Sequence, residues 1–335
     1  MSEFDVFGFE NALMDIQAFV PDSLLKKLKI NKGVMHLIEE KESRDILNNI
    51  SSYKTMSFPG GSAANTLSTI AMLGGRSIFS GVVSDDFYGR LYESKLAGRG
   101  VKTVIKKLQT GLTGTSIILT TEDAERTMLT HLGVCREYSK DDIDIELFSK
   151  ARIFHCTGYQ WDTPKQKEAT QFMMEKAKSL GLKVSMDIAD PFCIERNVDD
   201  FKKLISEHVD ILFANKEEAK FLTGIDDPVE AGKAVRKMGA EVILVKVGSE
   251  GSYLFYEDRI EKIDVYTPEK VLDSTGCGDI FGGGFLYGYS KGYDLVKCAK
   301  IASFMASRII SVPGVQLESL DSEKIKSGVE EIIKG

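Results

Sequence analysis

The sequence predicts an α/β fold: a doubly wound, mostly parallel sheet flanked by helices, with a small β-rich lid. Three observations lead there. From Ala151 to Val247, short apolar runs alternate with segments of helical period, the pattern of a parallel sheet covered on both faces. Between Ile16 and Phe58, and again between Thr115 and Thr130, that alternation stops and β-rich pieces replace it. Finally, Asp273-Ser274-Thr275-Gly276-Cys277-Gly278-Asp279 runs straight into Ile280-Phe281-Gly282-Gly283-Gly284-Phe285-Leu286, a tight turn that launches an apolar helix.

Composition sets the scale. The chain has 335 residues, 43% hydrophobic and 28% charged, enough to bury one large core. The expected organisation is a single unit, 1–335, with the lid inserted at about 14–58 and 112–131. A net charge of -7 with no basic run argues against nucleic acid as a partner. The five cysteines have no metal-ligand spacing and are odd in number, as expected of reduced cytosolic thiols. The start lacks a basic n-region, and no apolar stretch is long enough to span a bilayer, so the expected location is cytoplasmic, with no membrane partner. A monomer and a homodimer both fit.

Taken in order, Val6 to Phe9 reads as a strand that delivers Asp15 just beyond its C-terminal end, where open α/β sheets gather ligands; a solvated loop carboxylate is the plainer reading. Ile16 to Val20, Val34 to Ile38 and Tyr53 to Phe58 are short β pieces around a helix from Glu42 to Asn49. Pro59-Gly60-Gly61-Ser62-Ala63-Ala64-Asn65 leads into a helix with one buried face. There the paired glycines admit close backbone approach, and Asn65 offers a donor and an acceptor to a hydroxyl-bearing ligand. Ser77 to Val83 is a strand and Phe87 to Ala97 a helix. Thr115 to Thr120 and Glu125 to Thr130 form a hairpin joined by Glu122-Asp123-Ala124.

The regular half follows: strands at Ala151 to Cys156, Lys183 to Asp187, Val209 to Phe213 and Val242 to Val247, and helices at Pro164 to Leu180, Phe201 to Glu207, Lys216 to Thr223 and Asp227 to Met238. Tyr253 to Tyr256 and Arg259 to Val265 make an antiparallel edge pair. Long helices then run from about Asp279 to Lys291, from Leu295 to Ser311 and from Ser322 onward.

The candidate chemistry centres on Asp279. Backbone N–H groups converging at Gly276, Cys277 and Gly278 make an anion site, and a carboxylate in the same turn suggests a proton acceptor beside a phosphoryl group. The plainer reading is a helix-start Asp with glycines that allow close packing. Asn215 and Glu218 open a helix after a strand. Glu218 can hold magnesium through water and Asn215 can touch phosphate, or the two form a capping box. Gly248 and Gly251 bound a turn that approaches a nucleotide or simply reverses the chain. Arg126, on the hairpin, either swings over a transferring phosphoryl or pairs with Glu125 or Asp123. Cys277 is a small residue between glycines, or a thiol activated by nearby dipoles. His36, His131, His155 and His208 show no ligand spacing and read as structural.

With these segments together, the chain resembles the PfkB, or ribokinase-like, family of carbohydrate and nucleoside kinases. Gly60 to Asn65 with its continuation from Gly81 to Gly89, Asp273 to Leu286, and Asn215 with Glu218 match the family's motifs in order. The resemblance implies a ribokinase-like fold, Asp279 as catalytic base, Gly276 to Asp279 as anion hole and Glu218 as organiser of Mg2+. It also implies Asp15, Gly60, Gly61 and Asn65 on the acceptor, with Asp273 and Thr275 near a monovalent cation such as K+. Cys277 departs from the family's usual Ala.

Gly8 to Asp15 and Ala189-Asp190-Pro191-Phe192 look most like the adenosine kinase branch. The expectation is ATP-dependent transfer of the γ-phosphoryl group to a primary hydroxyl of a nucleoside such as adenosine, with Phe19, Tyr159 and Trp161 as candidates for a base slot. A ribose- or fructose-type sugar kinase shares the hydroxyl-binding residues. A non-catalytic nucleoside or sugar sensor would have no need of Asp279 and Glu218, and a dinucleotide oxidoreductase would need a GxGxxG turn that Gly8-Phe9-Glu10-Asn11 does not supply.

Overall fold

The computed structural model describes residues 2–123 and 125–335, and every side chain among them except that of Phe192. Ala124 of the expected hairpin connection, and Met1, lie outside the described residues. The elements run β1 (Phe4–Phe9), β2 (Leu13–Phe19), α1 (Asp22–Leu28), β3 (Met35–Leu37), α2 (Glu40–Ile50), β4 (Thr55–Pro59), α3 (Ser62–Met72), β5 (Ser77–Ser84), α4 (Phe87–Gly98) and β6 (Lys102–Leu108). Next come β7 (Gly114–Thr120), β8 (Arg126–His131), α5 (Ile145–Ser149), β9 (Ala151–Thr157), α6 (Pro164–Leu180), β10 (Lys183–Asp187), α7 (Pro191–Glu207), β11 (Ile211–Asn215), α8 (Lys216–Thr223) and α9 (Pro228–Met238). The chain closes with β12 (Val242–Lys246), β13 (Ser252–Tyr256), β14 (Arg259–Ile263), α10 (Cys277–Ser290), α11 (Leu295–Ile309) and α12 (Ser322–Lys334).

Nine strands form the main sheet in the order β14-β13-β12-β11-β10-β9-β1-β5-β6, parallel except for β13, which runs antiparallel to both neighbours. Successive residues of each parallel strand enter opposite cores, as the two-residue side-chain period requires. Phe7, Phe154 and Leu212 face one apolar layer, whereas Val6, Ile153 and Phe213 face the other. The α/β architecture expected from the sequence is therefore present, with helices on both faces.

A second sheet of five strands, β3-β8-β7-β2-β4, stands beside it. Here β2 pairs parallel with β7 and antiparallel with β4, while β7 and β8 are antiparallel. Asp15 belongs to β2, in register with Phe58 and Ser116, and is thus a strand residue rather than a loop residue as the sequence suggested. α1 and β6 were not anticipated. β6, Lys102–Leu108, lies at the sheet edge with no buried residue and no regular alternation, and α1 is only 7 residues long. α7 begins at Pro191, ten residues before the expected start, because Asp190 caps it by accepting from the Cys193 N–H.

α10 owes its placement to its glycines. A Cβ on Gly283 would stand 2.7 Å from the Thr66 carbonyl of α3, and one on Gly284 would stand 2.9 Å from the Ala302 Cα of α11, so only glycine lets three helices close on one another. Phe281 and Phe285 then pack edge-on against Phe213 of β11, which fixes the helix over the sheet.

Candidate active site

The C-terminal ends of β1, β10, β11 and β12, the first turns of α3 and α10, and one face of the smaller sheet enclose a cleft of about 970 Å³. Ligands collect on this edge of open α/β sheets because loops and helix N-termini converge there. The left-handed backbone of Gly276 (φ 68°) starts α10 and turns Asp279 into the cleft within the first helical turn. Two side chains of α3 grip that carboxylate: the Ser62 hydroxyl donates to Oδ1 at 2.7 Å and the Asn65 amide to Oδ2 at 2.8 Å. Burial raises Asp279, and these two hydrogen bonds pull it part of the way back, to about 6. A carboxylate poised there is ionised at neutral pH yet basic enough to take a proton.

Gly61 (φ 97°) opens α3, and a Cβ on it would press on the Asn11 carbonyl. Gly60 lies directly against the Asp15 carboxylate, leaving no room for a side chain, and its carbonyl accepts from the Tyr92 hydroxyl. Desolvation raises Asp15 to about 7, against the pull of Arg126 and Arg99. Asn65 lines the cleft but is only 5% exposed, and among the described residues its buried Oδ1 has no partner.

At the other end of the cleft, Asn215 and Glu218 form the full capping box. Asn215 Oδ1 accepts from the Glu218 N–H, and Glu218 accepts from both the N–H and the side-chain amide of Asn215. Both residues line the cleft, so capping and ligand contact are compatible. Burial raises Glu218 to about 7. Among the described residues no group of three or more His, Cys, Asp or Glu side chains could hold a metal ion alone. A magnesium ion carried in with phosphates and waters would need only one or two protein carboxylates, and Glu218 is one that lines the cleft. Gly248 and Gly251 also line the cleft, and both have positive φ; a Cβ on Gly251 would collide with the Ile263 carbonyl.

Several expectations change. Arg126 pairs with neither Glu125 nor Asp123: its guanidinium reaches from β8 to Asp273 and Thr275, while Asp123 binds Lys32. Asp273 also accepts from the Thr275 and Gly314 N–H groups, and these bonds, with Arg126, hold it below the usual carboxylate range despite burial. Burial pushes the Cys277 thiol up rather than down, and its Sγ turns toward the Ala306 carbonyl, so the activated-thiol reading does not hold.

Of the three aromatic residues considered for a base slot, only Tyr159 lines the cleft. Trp161 is a core residue donating to Asp200, and Phe19 is 54% exposed elsewhere on the smaller sheet. His155 is buried against Ser185 in the sheet, where burial lowers it to about 4.

Sequence reasoning assigned no role to Ser62, Glu10, Asp187 or Lys246. Glu10 is 3% exposed and accepts from the Ala63 N–H, the Thr157 hydroxyl and the Gln160 amide, which ties the first turn of α3 to the ends of β1 and β9. Lys246 and Asp187 form an ion pair at 3.0 Å. Charges ending otherwise apolar strands, as in Val242 to Lys246 and Lys183 to Asp187, were the available signal.

The family profile described as pfkB family carbohydrate kinase matches residues 30–322. The chain belongs to this family. Like its other members, this pfkB kinase is a phosphotransferase acting on hydroxyl groups of nucleosides or sugars. The crystal structure of adenosine kinase from Sinorhizobium meliloti superposes with a TM-score of 0.88 at 31% identity, covering 98% of this chain and 99% of that one. A probable sugar kinase from Rhizobium etli CFN 42 gives 0.89 at 32% identity over 98% and 100%. The adenosine kinase of Dictyostelium discoideum is 27% identical over 334 residues, covering 94% of this chain and 96% of that protein. No helix among the described residues is long and apolar enough to cross a membrane.

Proposed function

We propose that this pfkB kinase transfers the γ-phosphoryl group of ATP to a primary hydroxyl of a nucleoside of the adenosine type. The observation carrying this reading is the apolar wall facing Asp279's end of the cleft. Leu13, Met35, Leu37, Met128, Leu132 and Tyr159 line it, most of them from the smaller sheet. A sugar alone needs polar partners on every side, whereas a nucleoside offers hydroxyls at one end and a flat apolar base at the other. Asp15 and Asn65, polar residues lining the cleft, suit the hydroxyl end.

In the proposed step the hydroxyl oxygen attacks the γ-phosphorus and the hydroxyl proton passes to Asp279. The bond between that phosphorus and the β–γ bridging oxygen breaks, and ADP leaves with the electron pair. Ser62 and Asn65 hold the Asp279 carboxylate so that a free lone pair meets the hydroxyl, and the N–H groups of Gly276, Gly278 and Asp279 receive the charge on the transferring oxygens, the Cys277 N–H being taken by the Ser274 carbonyl at 3.2 Å. Glu218 would hold magnesium through water, and Asn215, Gly248 and Gly251 would face the nucleotide. Bound magnesium would supply charge neutralisation along the phosphates. A monovalent cation such as potassium would lie near Asp273 and Thr275, the residues that Arg126 meets. The smaller sheet, from 14–58 and 112–131 of a single unit 1–335, serves as a lid that excludes water from the reacting atoms.

The test is ADP release measured with a panel of adenosine, other nucleosides, ribose and fructose. The expected outcome is the highest kcat/KM for adenosine. A preference for ribose or fructose would overturn the nucleoside assignment and leave the sugar-kinase alternative, while ligand binding without turnover would point to a sensor.

A further inference from the structure

Seven carboxylates line the cleft: Glu10, Asp15, Asp162, Asp187, Asp190, Glu218 and Asp279. A polyphosphate entering such a wall meets repulsion unless cations stand where it comes to rest. Among the described lining residues the cations are Arg196 and Lys246. Lys246 ends β12 in register with Asn215, and its side chain is 16% exposed. Its ammonium stands 3.0 Å from the point a Cβ on Gly278 would occupy, and is therefore immediately beside the turn that starts α10.

The ammonium is held rather than loose. Asp187 Oδ2 lies 3.0 Å from it, while Asp187 Oδ1 accepts from the Ala189 N–H and so fixes the carboxylate against a backbone bent to a left-handed φ of 75°. Lysine has three N–H donors, and Asp187 takes one. Burial alone would lower the ammonium, but Asp187 and Glu218 outweigh it and keep Lys246 charged.

Resting on the kinase reading above, we infer that Lys246 is a catalytic residue whose ammonium donates to the terminal phosphoryl group of ATP alongside the N–H groups of the Gly276–Asp279 turn. Asp187 is its positioning residue. The other physical role for Lys246, neutralising Asp187 and Glu218, affects folding and every ligand alike, whereas a phosphoryl contact is felt only by nucleotides long enough to reach it.

The experiment compares wild type with Lys246→Met by thermal melting, by calorimetric binding of ATP and ADP with magnesium, and by steady-state turnover. Should the single variant fail to fold, Lys246→Met combined with Asp187→Asn removes both halves of the pair and replaces it. The expected result is ATP affinity weakened about 10- to 100-fold with ADP affinity, which involves no γ-phosphoryl group, held within about twofold, as for loss of one charged hydrogen bond. Turnover falls about 100- to 1,000-fold while the acceptor KM changes little, as for loss of one donor to developing charge. Equal weakening of ATP and ADP, or retention of ATP affinity and turnover, would overturn the inference. A wild-type protein that phosphorylates no acceptor defeats the kinase reading instead, and the ATP-to-ADP comparison still decides the role of Lys246.

Discussion

Replacing Asp279 with Asn should make the protein more stable and nearly inactive at once. The carboxylate is raised from 3.8 to about 6 by burial, so its charged form is disfavoured in the folded protein by about 2 pH units, or about 3 kcal/mol. The folded state binds this proton more tightly than the unfolded chain. Its contribution to stability is therefore fully present below 3.8 and is lost as pH rises through about 6. An amide carries no charge to desolvate. It can still accept from Ser62, and by turning over, Asn65 can offer its unpartnered Oδ1 to the new N–H2. Asn65 Nδ2 then loses its partner, which reduces the net gain to about 1–2 kcal/mol at about pH 8 and to nothing near pH 3. Chemical denaturation at the two pH values measures this, and turnover should fall about 100- to 10,000-fold, the usual worth of a general base. A variant that loses stability at pH 8 would refute the electrostatic argument, and one that keeps a tenth of wild-type turnover would refute the role of Asp279.

Further outcomes follow from the same geometry. The pH profile of kcat should rise with pH on an acidic limb centred near 6, since Asp279 must be ionised to accept a proton; a limb centred near 4 would mean that a different group governs turnover. Arg126→Gln removes the guanidinium joining the smaller sheet to Asp273 and Thr275, and should lower kcat about 10- to 100-fold while making β7 and β8 more susceptible to limited proteolysis; unchanged turnover and cleavage would dismiss the bridge. Gly283→Ala should lower stability by about 1–3 kcal/mol in denaturant titration, because its methyl group would enter the Thr66 carbonyl; wild-type stability would show that α3 and α10 can separate at little cost.

The main sheet was legible because its parallel strands are continuous apolar runs separated by strongly periodic helices, as α6 and α8 illustrate by matching their expected bounds. Local signals failed where an element relies on its neighbours. β6 carries three lysines and no buried residue, and becomes a strand through pairing with β5. β2 reads as a loop around Asp15 until β4 and β7 flank it. In the site, turn residues such as Gly61 and Gly276 were visible because positive φ selects glycine. Pairings across the fold were not. Nothing near Arg126 in the sequence points to Asp273, and nothing near Lys246 points to Asp187, because each pair is formed by tertiary structure between elements far apart in the chain. Trp161 erred the other way: a candidate for the base slot, it is buried outside the cleft lining and donates to the exposed Asp200.

The grip of α3 on Asp279 joins residues 214 and 217 positions apart. Such a junction cannot exist on a ribosome-bound fragment, nor in a refolding intermediate whose C-terminal helices have not yet docked. Reactivation after dilution from denaturant should therefore trail the return of helical circular dichroism. A chain that is still incomplete can bear a nucleotide-like surface without being able to spend the nucleotide.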